Sequence, residues 1–230
     1  MTSALIVAAG RSTRMGRDTD KMFLTVAGRP LVAQTWGRFD GAPFIDEIIL
    51  VVREGRQSEF AALAAQYRFA KPFRVVGGGK ERQDSVWHGL QNLSAGADIV
   101  AIQDAARPCT SLAVIQATIN AARQDGAAVA AQPVTDTIKL SEDGKHIARH
   151  LDRSLLWAVQ TPQTFRVDVI RRALARVREK GLQVTDDTAA CELIGQPVRL
   201  VLSDQPNPKV TVPDDVPYVE MLLKEQRGTF

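Results

Sequence analysis

Cationic side chains and the smallest residues coincide at three places in this chain, and that coincidence suits the binding of anions. The first is Ala8-Ala9-Gly10-Arg11-Ser12-Thr13-Arg14-Met15-Gly16, with Lys21 following just before Met22-Phe23. Small side chains let backbone N–H groups approach a ligand, and free N–H groups in such a loop form a concavity for anions. Arg11, Arg14 and Lys21 bring cationic donors to the same stretch. It reads as a phosphate-binding loop, although the same residues also suit an ordinary connection with solvated arginines. Neither the GxxxxGK[ST] nor the GxGxxG spacing is present here. Phosphates are therefore not held as in a P-loop kinase or a dehydrogenase.

The second place is Gly77-Gly78-Gly79-Lys80-Glu81-Arg82-Gln83-Asp84-Ser85, and the third is Gln103-Asp104-Ala105-Ala106-Arg107-Pro108. Glycines at 77–79 let the backbone come close to a flat base or a ribose, or simply make a flexible turn. Asp104 follows the apolar run Ile99-Val100-Ala101-Ile102. A carboxylate there suits a divalent cation or a substrate hydroxyl, and equally a turn or helix cap. Arg107 beside it favours the functional reading.

All three places follow apolar runs that read as strands, at 3–7, 73–76 and 98–102. Further strands are expected at 45–52, 127–131 and 198–202. Helical patterns cover 31–39, 57–67, 85–93, 112–124, 167–179, 187–193 and 214–224. Strand and helix alternate, which argues for a doubly wound, parallel α/β sheet. In such a sheet ligands bind beyond the carboxyl ends of the strands, so the three stretches belong to one site. The pattern breaks after Pro133. Residues 136–158 read as an excursion of short strands with an Asp143-Gly144 turn, too poor in core residues to stand alone. That arm either packs on a partner subunit or folds back as a lid. The chain otherwise reads as a single domain, 1–230.

Composition bounds the function. The 230 residues are 45% hydrophobic and 24% charged, with a formal net charge of +3. That balance suits anionic small molecules and is too weak for nucleic acid without a concentrated patch. Cys109 and Cys191 lack metal-ligand spacing and read as reduced thiols. No charged leader precedes an apolar stretch, and no run approaches membrane length, so a cytoplasmic protein without a membrane partner is expected.

A resemblance gathers these residues. Ala8-Ala9-Gly10 with Arg14-Met15 and Lys21, then Gly78-Gly79 with Arg82 and Ser85-Val86, resemble the nucleotide site of the cytidylyltransferases. Asp104-Ala105-Ala106-Arg107-Pro108-Cys109 is similar to a signature of the 2-C-methyl-D-erythritol 4-phosphate cytidylyltransferase family. Asp136-Thr137-Ile138-Lys139, Asp152-Arg153 with Leu156-Trp157, and Gln160-Thr161-Pro162-Gln163 extend it. So do Thr185-Asp186-Asp187 and Asn207-Pro208-Lys209-Val210-Thr211. Departures are small: Val7 stands where the family often has proline, Ser12 where it often has glycine, and Lys80 where an acid or amide is common.

The resemblance implies an α/β, Rossmann-like nucleotidyltransferase fold with a mostly parallel sheet and a protruding β-arm. It implies CMP transfer from CTP to 2-C-methyl-D-erythritol 4-phosphate, assisted by Mg²⁺, in a homodimer joined through the arm. Arg14, Lys21, Asp104 and Lys209 would be catalytic. Ala8, Ala9, Gly10, Gly79, Lys80, Arg82, Ser85 and Ala105 would surround the nucleotide. Asp104, Arg107, Thr137, Arg153, Thr161, Thr185, Lys209 and Thr211 would serve the acceptor, and no metal ligand is assigned. Arg11 would be a solvated bystander, and His88, His146 and His150 would be structural or solvated. Two other readings share the loop: a cytidylyltransferase for another polyol phosphate such as ribitol 5-phosphate, and a non-catalytic nucleotide-binding protein. The latter would be expected to lack one of Arg14, Lys21 and Lys209.

Overall fold

A computed structural model describes residues 1–10 and 20–227. Its centre is a seven-stranded sheet built from β1 (Thr2–Val7), β4 (Glu47–Val52), β5 (Phe73–Gly77), β6 (Ile99–Asp104), β7 (Ala127–Pro133), β10 (Trp157–Arg166) and β11 (Arg199–Leu202). The strand order is β11-β7-β10-β6-β1-β4-β5. Only β10 runs antiparallel to its neighbours β6 and β7. The remaining pairings, β1 with β4 and β6, β4 with β5, and β7 with β11, are parallel. Small hairpins join β2 (Thr25–Val26) to β3 (Arg29–Pro30) and β8 (Lys139–Leu140) to β9 (Arg149–His150).

Period-two side-chain alternation divides the core between the two sheet faces. Ala4 and Ile6 point to one face, with Ile48, Leu50 and Val52. There they meet α1 (Leu31–Asp40), α2 (Gln57–Tyr67), α4 (Leu112–Asp125) and α7 (Asp215–Arg227) through Trp36, Phe60, Ile119 and Leu223. Leu5, Ile49 and Val51 point to the other face. They pack with α3 (Arg82–Gln91), α5 (Val167–Glu179) and α6 (Asp187–Glu192) through Leu90, Ile170 and Ala190. Burying a side chain such as Phe39 or Phe165 completely stabilises the fold by about 1.5–3 kcal/mol.

The expected strand-helix alternation is present, and α2 and α5 have the boundaries that their patterns predict. One element differs. The expected arm at 136–158 ends inside a strand: β10 begins at Trp157 and inserts between β6 and β7. Gln160, Thr161 and Gln163 make this strand look polar, yet Thr161 and Gln163 are buried by their neighbours on both sides.

Chain order places the ligand end. From β1 the chain crosses to β4 and β5 on one side, and afterwards to β6 on the other. The carboxyl ends of β1 and β6 therefore flank the point where the winding reverses, which is where open α/β sheets bind ligands.

Candidate active site

A cavity of about 710 Å³ opens at that reversal. Its lining includes Val7, Ala8, Ala9 and Gly10 at the end of β1, Gly78 to Arg82 and Ser85 after β5, and Asp104 to Ala106 at the end of β6. Lys21 and Lys209 reach it from distant parts of the chain. Eleven of the expected residues thus share one concavity: Ala8, Ala9, Gly10, Lys21, Gly79, Lys80, Arg82, Ser85, Asp104, Ala105 and Lys209. Arg14, like Arg11, lies outside the described residues.

Backbone pairing aligns the strand ends. Ala8 N–H donates to Val51 at 2.7 Å, Gly78 N–H to Val52 at 2.7 Å, and Ala105 N–H to Val7 at 3.1 Å. The glycines after β5 have a packing role. A Cβ at Gly78 would stand 2.5 Å from Ala9 Cβ, and one at Gly79 would stand 2.3 Å from Asp84 Cβ. Neither has a positive φ, so close approach within the protein is what requires glycine at these positions. Gly10 differs: among the described residues nothing lies within 4 Å of a Cβ built there. A reciprocal cap between Glu81 and Asp84 starts α3. Ser85 Oγ then accepts from Gly79 N–H at 3.0 Å, which fixes the loop against the helix.

Asp104 is the electrostatic centre. Its carboxylate lies 2.8 Å from Lys209 Nζ, 3.6 Å from Arg82 Nε and 3.6 Å from Arg107 Nε. Burial works to raise this carboxyl, but Arg82, Lys209 and Arg107 outweigh burial and hold it below the ordinary carboxylate range. Arg82 continues the chain of charge, with Nη1 2.6 Å from Asp187 Oδ2. Asp187 is fully buried, and its Oδ1 has no hydrogen-bond partner among the described residues. Burial pushes the Asp187 carboxyl above its ordinary value despite the opposing pull of Arg82. Burial also opposes the charge on Arg82, but Asp187 and Asp104 together hold that guanidinium firmly protonated.

A second network positions Lys209. Asn207 is buried and donates through Nδ2 to the Thr161 carbonyl at 2.8 Å, while its Oδ1 accepts from Thr110 Oγ1 at 2.9 Å. Its carbonyl accepts from Arg107 Nη1 at 2.6 Å. Thr161 Oγ1 accepts from Asp104 N–H at 3.1 Å. Val210 N–H donates to Ala106 at 2.9 Å, and Lys21 Nζ donates to Val210 at 3.2 Å. The segment carrying Lys209 is therefore tied to β6, to β10 and to Lys21. Asp20 caps the short 3₁₀ turn Lys21–Phe23 by accepting from Met22 N–H, and it pairs with Arg53 and Arg56.

The expected acceptor residues divide. Arg107 touches Asp104, and Thr161 supports its backbone. Thr137, Thr185, Arg153 and Thr211 do not line the cavity. Arg153 sits on the arm, where Nη1 donates to the Thr135 carbonyl at 2.7 Å. Thr211 Oγ1 donates to the Lys209 carbonyl at 3.1 Å. Sequence reasoning gave no role to Arg53 and Glu54, which line the cavity, or to Asp187 and Asn207, which hold Arg82, Arg107 and the Lys209 segment. The polar pair that follows the apolar β4 run is the one local signal for Arg53 and Glu54.

The family described as 2-C-methyl-D-erythritol 4-phosphate cytidylyltransferase matches residues 2–225. The chain belongs to that family. An enzyme of that name from Alkaliphilus oremlandii is 41% identical over 228 residues, covering 98% of this chain and 96% of its own. One from Geobacillus kaustophilus is 41% identical over 220 residues, covering 96% of each. Among solved structures, the 2-C-methyl-D-erythritol 4-phosphate cytidylyltransferase of Thermus thermophilus is similar at a TM-score of 0.78 and 32% identity, covering 96% of this chain and 98% of its own. The 4-diphosphocytidyl-2C-methyl-D-erythritol synthase of Anaerococcus prevotii reaches a TM-score of 0.86 at 27% identity, covering 97% and 96%. The chain is thus a cytidylyltransferase, with the mostly parallel α/β fold of its family.

Proposed function

We propose that this enzyme transfers CMP from CTP to 2-C-methyl-D-erythritol 4-phosphate, giving 4-CDP-2-C-methyl-D-erythritol and pyrophosphate. The observation that carries the reading is family membership over residues 2–225, with the charged centre at Asp104 in the same cavity as the Ala8-Ala9-Gly10 turn. An oxygen of the acceptor phosphate attacks the α-phosphorus in line. A new phosphorus–oxygen bond forms, the bond to the bridging oxygen of the β-phosphate breaks, and pyrophosphate leaves with the electron pair. The acceptor monoester is already ionised at neutral pH, so no protein nucleophile is needed. Burial agrees by raising the thiols of Cys109 to about 11 and Cys191 to about 12.

The work of the protein is positioning and charge stabilisation. Lys21 and Lys209 stabilise the negative charge that builds on the transferring phosphoryl group, with Arg14 in the same role. Asp104 holds Lys209 and Arg82 beside the reacting centre and stands between nucleotide and acceptor. Ala8, Ala9, Gly10, Gly79, Lys80, Ser85 and Ala105 surround the nucleotide. Arg107, Thr137, Arg153, Thr161, Thr185 and Thr211 serve the acceptor. In a homodimer Thr137 and Arg153 would enter from the arm of the second subunit; the exposure of Ile147 and Leu155 on that arm, 69% and 77%, supports this reading.

The donor set fits Mg²⁺. Among the described residues no group of three or more His, Cys, Asp and Glu side chains could cage a metal. Magnesium is commonly held by one or two carboxylates together with substrate phosphates. Asp104 is the residue that would hold it, and the ion would neutralise triphosphate charge. No described helix is long and apolar enough to cross a membrane. Two buried free thiols suit the reducing cytoplasm. Pyrophosphate release from CTP with 2-C-methyl-D-erythritol 4-phosphate, and separately with ribitol 5-phosphate, tests the reading. Turnover with the first and not the second is expected, and the reverse preference overturns it.

A further inference from the structure

The opposite edge of the sheet carries a second cavity, of about 570 Å³, at the amino ends of the parallel strands. Its lining joins the apolar residues Ala97, Ile99 and Val167 with three arginines, Arg123, Arg166 and Arg171. They come from three elements: the last turn of α4, the end of β10 and the second turn of α5. Each is anchored through one nitrogen to an uncharged oxygen. Arg123 Nη2 donates to Thr2 Oγ1 at 3.0 Å, Arg171 Nη2 donates to the Leu90 carbonyl at 2.8 Å, and Arg166 Nη2 donates to the Arg123 carbonyl.

A guanidinium has five N–H donors, so each anchored group keeps donors for a ligand while its position is fixed. Among the described residues none of the three forms an ion pair within 4.0 Å. The two carboxylates of the cavity are engaged elsewhere. Asp98 lies 2.6 Å from the terminal ammonium of Met1, and Asp168 pairs with Arg172 at 3.8 Å. The mouth therefore gathers three held positive charges, and each of its two carboxylates already has another cationic partner.

We infer that this amino-edge cavity is a second anion site, built for a small phosphate or diphosphate compound whose organic part rests on Ala97, Ile99 and Val167. Guanidinium groups match phosphate oxygens in pairs, and anchoring them beforehand lowers the ordering cost of binding. Nothing in the cytidylyl transfer requires this cavity, because it lies across the sheet from Asp104.

Titration calorimetry with inorganic pyrophosphate, and in a parallel arm inorganic phosphate, tests the inference. The titrated protein is the Lys21→Ala/Lys209→Ala variant, in which the phosphate affinity of the first cavity is reduced. Saturable binding of one equivalent is expected, with pyrophosphate tighter than phosphate. Adding Arg166→Gln and Arg171→Gln should abolish it. Arg123→Gln alone should weaken it by about tenfold or more, the loss of one charge-assisted contact. In the otherwise native enzyme the same glutamines should leave cytidylyl transfer unchanged. Circular dichroism melts establish that each variant is folded. If the double glutamine variant does not fold, the Arg123→Gln affinity and pyrophosphate density in soaked crystals decide. Absence of saturable binding, or binding that these glutamines do not alter, overturns the site and leaves the arginines as clamps between elements.

Discussion

Lys209 Nζ stands 2.8 Å from Asp104 Oδ2, although one residue ends β6 and the other lies in the segment between β11 and α7. The pair joins the middle of the chain to its last part in the lining of the cavity. Strand β6 fixes one partner, and the buried Asn207 network holds the other in place. This arrangement determines which substitutions should slow chemistry and which should loosen the fold.

Lys209→Ala and Lys21→Ala should each lower kcat by ~10²-fold or more, because a cation facing charge that develops in the transition state acts on the rate. Steady-state pyrophosphate release measures it. Unchanged kcat in either variant would remove that lysine from the chemistry.

Asp187→Ala should destabilise the protein by about 3 kcal/mol, since it leaves Arg82 without its 2.6 Å partner. Arg82 is partly exposed, so this sits at the low end of the range for a broken buried pair. Urea unfolding reads the loss, and CTP affinity should fall with it as Arg82 moves. A midpoint equal to that of the unaltered protein would mean that Asp187 does not hold Arg82.

Acid should weaken the fold through Asp104. Its folded carboxyl is held below the ordinary 3.8, so its contribution is complete above that value and is lost as pH falls through the lower folded value. Asp187 is shifted the other way and relieves part of its own cost on protonation. Comparing urea midpoints of Asp104→Asn and the unaltered protein between about pH 2 and 5 isolates the first effect. The variant should show the shallower acid slope, and an identical slope would contradict the assignment.

Arg153→Ala should raise the KM for the acceptor while CTP binding persists. Deleting residues 143–149 should yield monomers with little activity. Sedimentation and acceptor titrations read both results. A fully active dimer after the deletion would contradict arm exchange, and lost CTP binding in Arg153→Ala would move that residue to the nucleotide.

Gly79→Ala should raise the KM for CTP and cost about 1–3 kcal/mol, because the added methyl meets Asp84 Cβ at 2.3 Å and the loop must shift. A variant with native melting and native CTP kinetics would show that the loop adapts freely.

Much of this was legible in the residues themselves. The Arg-rich helix at 167–179 announces its buried stripe of Val169, Ile170, Ala173, Leu174 and Val177, so α5 falls where its periodicity puts it. Strand ends rich in small residues marked the cavity, because one rule of parallel sheets brings them together. Strand β10 was hidden. Its burial comes from β6 and β7 on either side, not from its own hydrophobicity, and Gln160, Thr161 and Gln163 carry hydrogen-bond networks inside the protein. Asp187 and Asn207 were visible as letters but not as supports, since their partners Arg82 and Arg107 are far away in sequence. Arg53 and Glu54 carry only a weak local signal after β4.

Strand β10 has one more effect on how the enzyme behaves. It leaves the base of the arm at Trp157, shifts register between Val159 and Gln163, and delivers Thr161 to the backbone of Asp104. The arm is therefore continuous in the chain with the strand that supports Asp104. In the homodimer proposed above, arm contact and turnover would therefore be linked, so dilution should lower activity before any helix melts.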